Sequence, residues 1–143
     1  MSTKENKELV RQMWKDVNTG SGDVEKVRAW YRKYATPGFV HHDPSRGDLN
    51  AEQRVQATVA AYSAFPDIVY SIEDIVAEGD KTSTRYTVRG THQGAYLGVP
   101  PTGKQIALKG VNIYRFEGGK LAEAWDFPDS LGMMQQLGLI PKR

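Results

Sequence analysis

Near the C-terminus, the stretch LAEAWDFPDSLG, residues 121–132, brings acidic and aromatic side chains together. In an extended segment, alternation puts Glu123, Trp125, Phe127 and Asp129 on one face. A carboxylate held against aromatic rings and away from water has its proton affinity raised toward neutral pH. That suits it to take a proton from carbon and return it elsewhere. Asp129 also has an architectural reading. It follows Pro128 and precedes Ser130 and a short apolar-periodic stretch, the position of a helix N-cap, where backbone N–H donors would hold it ionised. The residues leave both roles open. Glu123 could equally be a cross-strand neighbour of Tyr114 at a pocket edge. Asp126, of opposite parity, is expected to face solvent.

Histidines supply the other candidate chemistry. In FVHHDP, one of His41 and His42 must point inward and the other outward, and the flanking Phe39 and Val40 do not say which. Consecutive residues of a strand cannot converge on one ion, and the spacing matches no zinc motif, so no metal is expected. His92, in GTHQG, sits at a strand end where either a structural or a catalytic role is open. The loop GVPPTGK ends in Gly-Lys but lacks the spacing of a phosphate loop, and no helix follows it. There is no nucleophile elbow and no credible Ser-His-Asp order. Cysteine is absent, which excludes thiolate chemistry and disulfides.

The elements that must position these groups are legible from periodicity. Apolar residues at helical spacing predict helices over 4 to about 18, stopped by TGSG, and over 23–34, capped by Asp23. A third starts at Asn50, which forms a capping box with Gln53, and stops before Phe65-Pro66. The period then changes to two over 68–77, 82–92, 105–116 and 121–127, and EGDK and EGGK read as hairpin turns. A short helix around LGMMQQLG closes the chain. Helices first and strands later predict an α+β domain whose antiparallel sheet is covered on one face by helices.

Register then assigns the inner face. If the EGGK hairpin pairs Phe116 with Leu121, Tyr114 faces Glu123 and Asn112 faces Trp125. Ile106, Leu108, Asn112, Tyr114 and Phe116 then point inward, whereas Gln105, Lys109 and Arg115 prefer water. Tyr86, Val88 and His92 share the same side of their strand. The expected pocket is therefore lined by Tyr86, Asn112, Tyr114, Glu123, Trp125 and Phe127, with His92 and Asp129 nearby. A curved sheet carrying aromatics and a few polar groups describes a ligand pocket better than a dry core.

Composition bounds the function classes. The 143 residues suit one domain, 1–143, and 39% hydrophobic with 25% charged residues is a globular composition. A net charge of +2, with basic residues spread along the chain, does not point to nucleic acid. No apolar run is long enough to cross a bilayer and no secretory signal is present, so a cytoplasmic protein without membrane partners is expected.

Together, FVHHDP, AFPDI, VAEGDK, GTHQG with GVPPTGK, and YRFEGGKLAEAWDFPDSLGMMQQLG resemble the SnoaL-like polyketide cyclases of the nuclear transport factor two-like superfamily. The likeness runs from about residue 39 onward, in order and spacing. It implies a cone-shaped barrel, in which a strongly curved antiparallel sheet is wrapped by early helices. It also implies chemistry without a cofactor: intramolecular aldol ring closure, or a related isomerisation, on a hydrophobic or polycyclic small molecule. The family's catalytic aspartate lies near the final strand, and Asp129 is the position matched to it, with Asp126 and Glu123 as rivals. His42 and His92 match recurrent family histidines and would hydrogen-bond a substrate carbonyl. A homodimer or higher homo-oligomer is expected. A non-catalytic binding protein and a related polyketide hydroxylase are the alternative readings.

Overall fold

The computed structural model describes residues 1–20 and 22–141; Ser21, within the expected helix stop TGSG, lies outside the described residues. Local capping chemistry sets where the first helices begin. Helix α1 (Thr3–Thr19) starts from a capping box in which Ser2 Oγ accepts from Glu5 N at 3.1 Å and Glu5 Oε1 accepts from Ser2 N at 3.0 Å. Helix α2 (Val24–Tyr34) is capped by Asp23, and α3 (Ala51–Ala64) by the Asn50/Gln53 box read from the sequence. The strands are β1 (Ala35–Asp43), β2 (Gly47–Leu49), β3 (Val69–Glu78), β4 (Lys81–Thr91), β5 (Gln105–Glu117) and β6 (Lys120–Pro128), and α4 (Ser130–Gln136) follows.

All six strands form one sheet in the order β2-β1-β6-β5-β4-β3. The two hairpins, β3–β4 and β5–β6, are antiparallel as expected. The fully antiparallel sheet is corrected, because β1 pairs with β6 in parallel. No hairpin joins those two strands; most of the chain lies between them, so nothing forces opposite directions. The sheet is also open, with β2 and β3 as edges, where a barrel was expected. The α+β cone architecture otherwise stands.

The helices pack on one face. Val10, Met13 and Trp14 of α1 and Val55 and Tyr62 of α3 are buried, as are Ile75, Tyr86, Val88, Ile106, Phe116 and Leu121 of the sheet. Met13 and Leu121 are almost fully enclosed, so truncating either to alanine should cost about 2–5 kcal/mol.

One irregularity decides the site. Phe116 pairs with Leu121 as expected, but Arg115 then pairs with Glu123, leaving Ala122 as an extra residue. From there Tyr114 faces Ala124 and Asn112 faces Asp126. A one-residue bulge exchanges the two faces of everything downstream. The inward assignment of β5 stands, and that of β6 is inverted.

Candidate active site

Between the helices and the concave face of the sheet lies a cavity of about 240 Å³. Trp14 of α1 and Trp30 and Tyr31 of α2 form part of its wall. Arg54, Ala57, Thr58 and Ala61 of α3 complete it, at spacings that place them on one helical stripe. The sheet contributes Phe39, His41 and Asp43 from β1, Tyr86 from β4, Asn112 and Tyr114 from β5, and Asp126 from β6. The lining is mostly aromatic and aliphatic, with a few polar groups that converge, the composition of a small-molecule site.

Asp126 is the central polar group. Its Oδ1 accepts from the Tyr86 hydroxyl at 2.6 Å. Burial raises its proton affinity above that of an ordinary aspartate, although the Tyr86 bond and the Arg54 charge pull the other way. Burial, with the Asp126 charge beside it, keeps the Tyr86 phenol protonated and therefore a donor. Gly110 allows this contact across the intervening strand. Tyr86 pairs with Gly110, and a Cβ at that position would lie 2.3 Å from the Tyr86 hydroxyl oxygen.

Around Asp126 the lining carries polar atoms without partners. His41 Nε2, Arg54 Nε and Asn112 Oδ1 are buried and unbonded. Burial, aided by the Arg54 charge, pushes the His41 imidazolium down to about 3, so the ring is neutral at physiological pH. Asp43 differs, since its carboxylate accepts from Ser45 N, Ser45 Oγ and Arg46 N at 2.8, 2.8 and 2.9 Å. Burial alone would raise its proton affinity, but these bonds outweigh it and hold Asp43 ionised below the usual range. Among the described residues, no cluster of three or more His, Asp or Glu side chains could hold a metal ion. Nor is any helix there long and apolar enough to cross a membrane.

The residues singled out in the sequence divide into two groups. Tyr86, Asn112 and Tyr114 line the cavity. The cavity-side placement of Glu123, Trp125 and Phe127 is corrected, because the Ala122 bulge turns all three to the outer face. There Glu123 accepts from His42 Nε2 at 2.6 Å and from Arg115 Nε at 3.1 Å, Trp125 stacks on His42 at 5.1 Å, and Phe127 is 58% exposed. The inward placement of His42 is likewise corrected: it bridges Glu123 and Asp48 outside, and His41 points in.

Asp129 caps α4. Its Oδ1 accepts from Gly132 N at 2.9 Å, and a Cβ on Gly132 would lie 2.2 Å from Oδ2, so DSLG is a capping sequence. Asp129 is exposed and is not part of the cavity lining. His92 also lies outside the lining. It is fully buried, stacks on Phe65 at 5.2 Å, and accepts from Thr102 N at 3.2 Å, which ties down the loop after β4.

Asp126, His41 and Arg54 were therefore missed or ranked low. The adjacent apolar pair Leu121-Ala122, which breaks alternation just after the EGGK turn, was a readable sign of the bulge. For Arg54 the sign was a cation on a helical stripe otherwise made of small residues.

The chain as a whole has counterparts among known proteins. The sequence profile of SnoaL-like polyketide cyclases matches residues 8–137. The chain belongs to the SnoaL-like polyketide cyclase family. Among SnoaL-like relatives, the aklanonic acid methyl ester cyclase DnrD of Streptomyces peucetius is 30% identical over 134 residues, covering 92% of this chain and 89% of that protein. The nogalonic acid methyl ester cyclase of Streptomyces nogalater is 37% identical over 124 residues, covering 85% and 88%. AclR, a proposed hydroxylase from Streptomyces galilaeus, superposes with a TM-score of 0.79 at 30% identity, over 99% of this chain and 86% of that one. Relatives of this SnoaL-like chain are thus named as polyketide cyclases, and the α+β cone is shared.

Proposed function

We propose that this protein is a cofactor-independent cyclase that closes a ring by intramolecular aldol condensation, with Asp126 as its acid–base group. The observation that carries the reading is the Asp126 carboxylate, facing an aromatic-walled cavity, bonded by Tyr86, with its proton affinity raised by burial. In the first step a C–H bond next to a substrate carbonyl breaks. The proton goes to Asp126, and the electron pair spreads onto the carbonyl oxygen. The enolate carbon then attacks a second carbonyl of the same molecule, forming the new C–C bond. The resulting alkoxide takes back the proton from Asp126, so atoms and charge balance without an external reagent. Neutral His41 and the free Asn112 oxygen are placed to bond substrate hydroxyl and carbonyl groups, and Tyr114 supplies aromatic wall. A positioned base typically contributes about 10²–10⁴-fold.

The test is Asp126→Asn assayed on a diketone or keto ester that cyclises by aldol addition. Loss of turnover with ligand binding retained supports the reading. Turnover within a few-fold of wild type removes Asp126 from the mechanism. Ligand recovered unchanged from wild type would favour a binding protein, and oxygen consumption would favour a hydroxylase. The reading includes a homodimer in which a second copy covers the outer sheet face. Val111 and Phe127 are cross-strand neighbours there, and with Ile113 they expose an apolar strip. Sedimentation of a Phe127→Glu variant as a dimer would count against it. A cytoplasmic location belongs to the same proposal and is testable by fractionation of the native host.

A further inference from the structure

Arg54 is a buried charge that the fold answers only in part: Tyr31 and the Asp126 charge favour the cation. Its Nε is buried without a hydrogen-bond partner, and none of the ion pairs among the described residues includes it. On the helices, Arg11 and Arg28 each hold a glutamate, and Arg32, which holds none, is exposed to water. An enclosed guanidinium without a close ion-pair partner is costly, and a cavity that keeps one is preorganised for an anion from outside. The Asp126 charge acts on Arg54 through the cavity, but the two form none of the ion pairs among the described residues, and Arg54 Nε is left open. Asp43 is occupied by Ser45 and the Arg46 amide.

The charges of the lining allow such a guest. Its cations are Arg46 and Arg54 and its carboxylates Asp43 and Asp126; Arg89, of opposite parity to Tyr86 and Val88 on β4, is exposed on the outer face. Arg46 is exposed, so it stands where the cavity meets solvent, and Arg54 stands within. His41 adds no charge, since burial holds it neutral. With Asp126 ionised the formal charges balance, and a proton taken up by Asp126 leaves the lining cationic.

Size narrows the ligand further. At about 240 Å³ the cavity lies below the roughly 300–1,000 Å³ of sites for drug-sized molecules. Trp14, Trp30 and Tyr31 make walls suited to flat rings.

We propose that the substrate is a carboxylate-bearing carbonyl compound of one or two rings, its carboxylate bound by Arg54. This rests on the reading above only in placing the substrate in this cavity. It differs from the methyl esters in the names of the Streptomyces relatives, in which that oxygen pair carries no charge. Arg54 acts here as the specificity-determining residue: it anchors one end of the molecule and so fixes which C–H meets Asp126.

Isothermal titration of the purified protein with three probes tests this without turnover. The probes are 2-naphthoate, its neutral isostere 2-naphthamide, and four-ring pyrene-1-carboxylate. Wild type is expected to bind 2-naphthoate about tenfold or more tighter than 2-naphthamide, the scale of a charge-assisted bond pair. Pyrene-1-carboxylate should fail to compete. Arg54→Met should erase the preference for the acid, and Arg54→Lys should keep part of it. Equal binding of acid and amide by wild type overturns the proposal. So does a preference that survives Arg54→Met, or competition by the four-ring acid. Should Arg54→Met not fold, wild-type selectivity and Arg54→Lys decide. Asp126→Asn should retain the preference, so failure of the acid–base assignment is read separately from failure of the anion site.

Discussion

Two histidine–carboxylate neighbourhoods lie back to back on the same sheet. Outside, His42 bonds both Asp48 and Glu123 at 2.6 Å, Glu123 also accepts from Arg115, and Trp125 stacks on the imidazole. Inside, His41, Arg54 and Asn112 keep unbonded polar atoms around Asp126. The residue types are almost the same. The outer set answers its own hydrogen-bonding demand and so contributes to the sheet. The inner set leaves demand open in a low-dielectric space, where a polar ligand can meet it. Which polar atoms are already satisfied therefore discriminates better than which residue types are present.

The sharpest way to break this comparison is to neutralise each carboxylate in turn. Asp126→Asn should lower turnover by about 10²–10⁴-fold with an unchanged circular dichroism spectrum. Glu123→Gln should leave turnover within a few-fold. Comparable losses in the two variants would erase the distinction between the faces. Next in size is Tyr86→Phe, expected to cost about tenfold in kcat/KM. The Tyr86 bond opposes the upward shift of Asp126. Removing it should raise the carboxyl further and move the acidic limb of the pH–rate profile to higher pH. A profile that stays in place would exclude Tyr86 as the group that tunes Asp126.

Smaller effects are expected at the two sites the sequence made prominent. Asp129→Ala should remove the α4 cap and cost about 1 kcal/mol in chemical denaturation, with kcat little changed. The outer histidine should report through pH alone. The Glu123 bond raises the His42 proton affinity above its unfolded value, against a smaller effect of burial. Its contribution to stability is then full below the unfolded pKa of about 6.5 and is lost as pH rises through the higher folded value. The melting-temperature gap between wild type and His42→Gln should accordingly be widest near pH 6 and close in mildly alkaline buffer. A gap independent of pH would assign His42 to packing on Trp125 alone.

Much of this architecture was legible because local chemistry and global fold agree. Asn50 and Gln53 announce the start of α3, EGDK and EGGK announce both hairpins, and alternation in β5 places Asn112 and Tyr114 inward. The parallel β1–β6 pairing was not legible, since strands far apart in the chain carry no turn that specifies direction. The inner carboxylate was misplaced for a different reason. Period-two reasoning propagates parity, so an unnoticed bulge inverts every later residue, and Asp126 exchanged roles with Glu123, Trp125 and Phe127. Between His41 and His42 no sequence rule chooses, because either parity yields a plausible strand.

Ala122, the unpaired residue of β6, is what lets Leu121 and Asp126, five residues apart and so of opposite parity, both face inward. Removing that one alanine would let Leu121 and Glu123 alternate plainly and keep every later pair, with Asp126 still opposite Asn112 and Trp125 and Phe127 still outside. A deletion at the bulge could thus spare the chemistry of this scaffold, whereas a register in which Ala122 pairs with Arg115 would turn the carboxylate out. A carboxyl-resolved NMR titration of the Ala122 deletion reads this directly: Asp126 should keep a proton affinity above that of an ordinary aspartate, because it stays enclosed. Relatives that carry the carboxylate on a hairpin one residue shorter would then still share the site.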